Sequence, residues 1–512
     1  LPFCVCHVQA AYINILVQTA LDNAKTPCCR RWRHRHRQIQ GELSSLALLS
    51  FLRAADRHSK LAVDIASRYN GEIINGDAMQ MYRGLPIITN QIPVEERNGI
   101  PHHLISCIDL EQEPWRINFF RTECLRLVDD IYARGKLPIL VGGTHYYTQS
   151  VLFQDQLVEK ESVSSDDESE LCPAEDVDSA VKWPILDAEP EVVMEKLREV
   201  DPAMADRWHP KDTRKIRRSL EIFFQTGRPA SQVYAEQRWL KQAARENNSS
   251  APGPGQLRCN TIIFWVHSEK SILNERLNKR VDVMVEQGLM SEARTMSDYI
   301  REKAAQGVTV DQTRGVWISI GFKELAPYLE ALDNGSLDEK KLEALKQECI
   351  ERVKTATRQY GGSQVKWIRN KLWTALADAG MVNRLYLLDS TDVEKWMENI
   401  TEPSDRLVAA LLKHEPLPDP KSLSELARRT LEAKEAEPAP VDPSTAKTIT
   451  CDVCRRILTN EREWNIHIHG GAHKRAVRNQ ARRAARDAYL LQKRQESPQS
   501  GHAVSQDGSS PF

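Results

Sequence analysis

Four residues near the carboxyl end restrict the fold of this chain more than any others. Cys451-x-x-Cys454 is followed after twelve residues by His467 and after five more by His473. Zinc takes four ligands in a tetrahedron, and this spacing lets a two-cysteine knuckle and one helix supply two each. The pattern predicts a two-Cys, two-His zinc finger with structural Zn2+, and with Trp464 and Ile466 in its small core. A fold of this size is held by its metal and is unstructured without it. Chance spacing of unconnected Cys and His is the plain alternative. Further on, Lys474, Arg475, Arg478, Arg482, Arg483 and Arg486 predict a basic helix suited to phosphates, or else a solvated charged one.

Composition limits the rest. A chain of 512 residues has room for two or three domains. Lys and Arg number 70 against 71 Asp and Glu, so any nucleic-acid surface must be a local patch and not a global field. The 11 cysteines are scattered, unlike a small disulfide framework, and fit a reducing compartment. No run of about 18 apolar residues predicts a membrane span. Residues 1–57 read differently from the remainder: a short apolar stretch precedes Arg30, Arg31, Arg33, Arg35 and Arg37. The segment is read either as a mitochondrial presequence or as a mistranslated or partial 5′ end.

From Lys60 to Phe153 helical and strand signals alternate. A helix is expected around Leu61–Ala66, a strand at Glu72-Ile73-Ile74, a helix over about 119–134, and a strand at Pro138–Val141 ending on Gly142-Gly143-Thr144. Such alternation predicts a parallel α/β sheet with functional loops at the strand carboxyl ends. The expected divisions are an atypical 1–57, an α/β core over 58–190, a helical insertion over 191–257, and the core's continuation over 258–413. A linker over 414–448, the finger and basic helix over 449–490, and a disordered tail over 491–512 complete the chain. Within these, 155–180 is acidic and Ser-rich and 245–257 is a second loop. Thr261–Val266 is a return strand.

Asp77, in Asn75-Gly76-Asp77-Ala78-Met79-Gln80-Met81-Tyr82, puts one carboxylate on a strand-end loop, where it could do chemistry or merely cap a helix. Gly142-Gly143-Thr144 offers close backbone approach and a hydroxyl, or simply a tight turn. His102 and His103 are read as structural or phosphate-proximal more readily than as metal ligands. His209–Arg218 opens a basic helix in which Arg214, Arg217 and Arg218 lie near one face, a counterpart for a phosphate backbone or an ordinary charged surface.

Several segments carry a resemblance in a fixed order: Ser59–Val63, Asp77–Leu85, Pro101–Leu104, Leu137–Thr144 and His209–Asp212. Thr226–Pro229, Arg280–Met284, Ile320–Glu324 and Gln364–Ile368 follow. Together, over 58–373 and with the finger after them, they resemble the tRNA dimethylallyltransferase (tRNA isopentenyltransferase) family in its eukaryotic form. The resemblance implies a P-loop-like, nucleotide-binding α/β core, with a helical insertion that grips the tRNA anticodon stem-loop. It implies a target adenine flipped to meet dimethylallyl diphosphate, with Mg2+ accompanying the diphosphate. Asp77 would be the general base and Thr144 a contact near the reacting centre. Asp77, Ala78, Met79 and Gln80 would hold the base, and Arg214, Lys215, Ile216, Arg217 and Arg218 would contact tRNA. A monomer is expected, in cytoplasm, mitochondrion or nucleus.

The chain's most serious departure from the family lies just before Lys60. A G-x-x-x-x-G-K-[ST] loop should precede Lys60, its amides and lysine cradling the diphosphate. Here the positions read Leu52-Arg53-Ala54-Ala55-Asp56-Arg57-His58-Ser59, and only Ser59 remains for diphosphate binding. Either the reading of the gene has skipped an exon, or catalysis is lost and tRNA binding kept. Gly361-Gly362 likewise stands where helix-favouring residues are expected, weakening the helix by about 1 kcal/mol each. Alternative functions are a catalytically inactive tRNA-binding protein, a transferase for free adenine nucleotides, and a nucleic-acid-binding module on an unrelated α/β kinase.

Overall fold

Short apolar strands and amphipathic helices alternate along the chain, seen here in a computed structural model. It describes residues 12–17, 57–154, 183–236 without 211, 239, 255–437 without 336, 449–458 without 455, and 461–496. In chain order come β1 (Tyr12–Val17), α1 (Arg57–Tyr69), β2 (Gly71–Asn75), β3 (His102–His103), α2 (Ile117–Ala133), β4 (Leu137–Gly142) and α3 (His145–Leu152). Then follow α4 (Pro190–Val200), α5 (Pro202–Arg207), α6 (Thr213–Thr226), β5 (Asn260–His267), α7 (Lys270–Gln287), α8 (Leu289–Ala305), α9 (Phe322–Asn334) and α10 (Glu339–Trp367). The remainder is α11 (Trp373–Asp378), β6 (Leu385–Asp389), α12 (Glu402–Lys413), α13 (Glu425–Glu435), β7 (Ile449–Cys451), β8 (Arg456–Leu458), α14 (Glu461–His469) and α15 (Gly471–Glu496). The acidic 155–180 stretch, most of the 245–257 loop and the tail after 496 lie outside the described residues. Among the described residues no helix is long and apolar enough to cross a membrane.

The chain forms two compact units, Leu1–Leu157 with Leu240–Pro438, and Val158–Trp239 with Ala439–Phe512. The first is built on a six-stranded sheet in the order β3-β2-β4-β1-β5-β6. Side chains alternate across it. Ile74, Leu140, Ile263, Trp265, Leu385 and Leu387 face one core, and Ile73, Ile139, Val141, Ile262, Phe264, Val266, Tyr386 and Leu388 face the other. Because helices cover both faces, the strands read as near-continuous apolar runs. The first core takes Phe120, Cys124 and Val128 of α2 and Cys349, Ile350 and Val353 of α10. The second takes Leu61, Ala62, Ile65 and Ala66 of α1 with Leu407, Val408 and Leu411 of α12. Each fully buried Leu, Ile or Phe contributes about 1.5–3 kcal/mol.

Two expectations need correction. The sheet is not wholly parallel: β1 runs antiparallel to both β4 and β5, with Tyr12 opposite Gly142 and Trp265 and Val17 opposite Asn260. The backbone groups along β4 and β5 must be paired when buried, and an apolar run from the atypical 1–57 segment meets that need. Its direction carries the chain out at the amino edge of the neighbouring strands, not at the carboxyl edge. Secondly, the expected linker over 414–448 includes α13, whose Leu426, Ala427 and Leu431 recur at helical spacing and are buried. α10 runs 29 residues through Gly361-Gly362, whose lower helix propensity weakens it without ending it.

The second unit holds two small cores. Val193, Met194, Leu197, Met204, Ile216 and Leu220 bring α4, α5 and α6 together. Buried Asp201 ties this cluster, capping α5 through Met204 N and accepting Ser231 N at 2.8 Å. The hairpin β7–β8 with α14 makes the other, pairing Ile449 with Leu458.

Candidate active site

Two adjacent parallel strands end together. Asn75 of β2 pairs with Val141 of β4, and the chains beyond them interlock. Gly76 N donates to Val141 O at 2.6 Å and Thr144 N donates to Gly76 O at 3.2 Å. Gly142 permits this crossing, since a Cβ there would lie 2.2 Å from the carbonyl carbon of Gly76. Thr144 stands at the amino end of α3 without capping it. Its Oγ1 instead accepts Ala78 N at 2.9 Å, tying the two loops and leaving the hydroxyl hydrogen to donate.

Asp77 is buried, at 2% exposure. Asn75 holds its main chain on both sides, accepting Asp77 N at 3.0 Å and donating to Asp77 O at 2.9 Å and Leu104 O at 2.7 Å. Asp77 Oδ1 accepts Met79 N at 3.0 Å. Its Oδ2 lies 3.1 Å from the point where a Cβ of Gly143 would stand, so only glycine leaves that approach open. Gln364 of α10 closes the site from the other side, its Nε2 donating to Gly143 O at 3.3 Å and to Tyr360 Oη at 3.1 Å. His145 stacks on Trp367 with centroids 4.2 Å apart. Burial pushes its pKa down to about 3, against the pull of Asp77, so the imidazole is neutral at ordinary pH and has no imidazolium proton to give.

The 77–82 loop is pinned further along. Gln80 Nε2 donates to Asn90 O at 3.1 Å, and Gln91 Nε2 donates to the carbonyls of Gln80 and Tyr82 at 3.1 and 2.7 Å. Ser106 Oγ orients Gln91 by donating to its Oε1 at 2.6 Å. His103 serves structure: its Nε2 lies 2.7 Å from Glu72, which also meets Arg134 and Lys136 at 2.6 and 2.8 Å.

Of the residues expected from sequence, the structure brings Asp77, Ala78, Met79, Gln80 and Thr144 together, and Ser59 lies in the first turn of α1. It adds Asn75, Gln91, His145 and Gln364. Asn75, His145 and Gln364 stood inside or beside the ordered motifs without a role, and nothing local marked Gln91. The α6 residues form a separate surface in the second unit. There Arg214, Lys215 and Arg218 are exposed, Arg217 and Arg218 share Glu221, and Lys215 pairs with Asp212 at 2.6 Å. Ile216 corrects the expected tRNA contact: at 1% exposure it is core, because the helical period turns 216 and 220 inward.

Cys451, Cys454, His467 and His473 offer donor atoms all within 4.8 Å of one another, the only such group among the described residues. Tetrahedral zinc, with Zn–S about 2.3 Å and Zn–N about 2.0–2.1 Å, spaces sulfur and nitrogen ligands about 3.5 Å apart. Both Cys451 Sγ and Cys454 Sγ lie 3.5 Å from His473 Nδ1, which is 3.2 Å from His467 Nε2. The donor set fits the ion. Ile466 is 65% exposed and is not the core residue expected; Leu458 is buried instead. His467 sets the inward face of α14, and 466 falls beside it. The basic residues of α15 from Lys474 to Arg486 are exposed throughout.

The IPP transferase family model matches residues 80–371, more than half of the chain. The chain belongs to the IPP transferase family. It is 35% identical over 446 residues to a tRNA dimethylallyltransferase of Schizosaccharomyces pombe, spanning 84% of this chain and 95% of that protein. It is 32% identical over 448 residues to the Homo sapiens tRNA dimethylallyltransferase, spanning 87% and 88%. Among solved structures it resembles a eukaryotic dimethylallyltransferase acting on tRNA, with a TM-score of 0.66 and 32% identity over 85% of this chain and 96% of that one. This IPP transferase thus shares both sequence and fold with eukaryotic members over most of its length.

Proposed function

We propose that this chain transfers a dimethylallyl group from dimethylallyl diphosphate to the exocyclic N6 of the adenine 3′-adjacent to the anticodon in tRNA. The observation that carries the reading is buried Asp77, locked beside Thr144 by Asn75 at paired strand ends, in a chain of this family. N6 attacks C1 of the donor, the C1–O bond breaks, diphosphate leaves and the N6 proton passes to the Asp77 carboxylate. Thr144 would donate its hydroxyl near the reacting centre. Ala78, Met79 and Gln80 would hold the extruded base, while Arg214, Lys215, Arg217 and Arg218 of α6 and the basic α15 would meet phosphates of the anticodon stem-loop. Cys451, Cys454, His467 and His473 would hold Zn2+, which keeps the finger folded.

The diphosphate is where this chain differs. α1 packs along β2 and ends one residue before it, so its amino end, with Ser59, lies toward the carboxyl edge where a helix dipole favours an anion. The glycine-lysine loop is absent from the sequence before Lys60. Mg2+ therefore has only Ser59 of its expected surroundings, and no step above runs through it. That same observation favours a second reading, a tRNA-binding protein without catalysis.

The test is to incubate the full chain with unmodified tRNA, dimethylallyl diphosphate and Mg2+, digest the RNA and weigh its nucleosides. An isopentenyl-adenosine peak abolished by Asp77→Ala supports transfer. No peak, with tRNA binding retained, supports the second reading.

A further inference from the structure

Gln80 is oriented from a distant helix. Glu292 lies in the first turn of α8, 205 residues beyond Ile87. Its Oε1 accepts Ile87 N at 2.9 Å, and its Oε2 accepts Ile87 N at 3.1 Å and Ile88 N at 2.7 Å. Those donors open a tight turn after Leu85, in which Thr89 N and Oγ1 both return to Leu85 O and Gln91 N returns to Pro86 O. The turn ends at Asn90, in a left-handed conformation at φ 52°, and the Asn90 carbonyl accepts Gln80 Nε2 at 3.1 Å. One carboxylate therefore fixes a turn, the turn aims a carbonyl, and the carbonyl fixes which way the Gln80 amide faces. Only a carboxylate offers acceptors on both oxygens and no donor; an amide would set an N–H against an N–H of Ile87 or Ile88. The packing admits little slack, since a Cβ at Gly321 would already stand 3.2 Å from Ile88.

We propose that Glu292 is a positioning residue which, through the 85–91 turn, sets Gln80 and thereby the stability of the extruded adenine. This rests on the function proposed above, in which Gln80 holds that base. It makes α8 a determinant of base acceptance.

Base extrusion can be read without catalysis, so the missing diphosphate loop does not block the test. An anticodon stem-loop RNA carrying 2-aminopurine at the target position is titrated with the full chain. Anisotropy reports affinity, and 2-aminopurine fluorescence reports unstacking. E292Q is expected to lower the extruded-to-stacked ratio about tenfold, the scale of one lost charge-assisted hydrogen bond, with any fall in RNA affinity no larger than that factor. Gln80→Ala should lower the ratio at least as far, and the double variant should fall no further than Gln80→Ala alone. If E292Q does not fold, E292D, which keeps the charge but shortens its reach, should give an intermediate loss under the same cycle. Additive losses, or a loss of RNA affinity larger than the loss of extrusion, would reduce Glu292 to a structural cap and overturn the proposal. Wild-type protein that binds RNA with no rise in fluorescence overturns the extruded-base reading and this inference with it. Wild-type protein that binds no RNA overturns the proposed function itself.

Discussion

Replacing Gly142 with alanine would drive a methyl group into the backbone of the neighbouring loop. The new Cβ would meet the carbonyl carbon, oxygen and Cα of Gly76 at 2.2, 2.3 and 2.5 Å, where carbon contacts settle at about 3.5–4.0 Å. All three atoms are main chain, so no side-chain rotation relieves the clash. The carboxyl ends of β2 and β4 must part by about 1 Å or more to reach normal contact. That movement breaks the bonds from Gly76 N to Val141 O and from Thr144 N to Gly76 O. Each buried group left unpaired costs about 1–3 kcal/mol, so the variant should lose about 2–6 kcal/mol. Gly362 is the matched control: it lies in a helix, and a Cβ there meets nothing within 4 Å. Alanine at that position should stabilise by about 1 kcal/mol. Urea denaturation followed by tryptophan fluorescence, compared through the midpoint at constant slope, measures both. A Gly142→Ala midpoint matching wild type would refute the close crossing at the site, and a destabilising Gly362→Ala would refute the open space beside α10.

Three further outcomes follow from the geometry. Asn75→Ala removes two donors and an acceptor from the main chain around Asp77, and should cost about 2–4 kcal/mol by denaturation while lowering any transfer activity. Burial acts to raise the Glu72 carboxyl, but bonds from Arg134, Lys136 and His103 outweigh it and hold its pKa at about 2, against an ordinary 4.5. Its contribution, at most about 3 kcal/mol, is present above pH 4.5 and lost as pH falls toward 2, so E72Q should flatten stability against pH in that window. Zinc analysis of the purified protein should give about one ion per chain, with Cys451→Ser abolishing it and a chelator melting the finger.

Much of the molecule was legible because its signals are local. The strands at 71–75, 137–142 and 260–267 announce themselves as apolar runs, and α2 by its 3.6-residue period. The finger was the clearest, since all four ligands fall within one short stretch and the spacing alone sets the chemistry. Asp77 and Thr144 stood out as polar residues at strand carboxyl ends. Burial direction is less legible: Ile216 stands in sequence among basic residues yet is core, and Ile466 beside His467 yet is exposed, because the helix face decides which way each side chain turns. α13 was hidden in a stretch whose Pro, Glu and Ala content suggested a linker.

By itself the sequence determined the apolar periods, the spacing of the Cys451, Cys454, His467 and His473 cluster, the two strand-end loops and the absence of a glycine-lysine loop before Lys60, for each depends only on which residues stand near one another in the chain. Tertiary structure alone decided how the site is held. Glu292 reaches the 85–91 turn across 205 residues, Gln364 reaches Gly143 across 221, and Tyr12–Val17 fills the slot between β4 and β5. The physical reason is common to all three. A backbone donor or acceptor left unpaired in a buried place must be satisfied, and which distant side chain or strand satisfies it is settled only when the chain has packed.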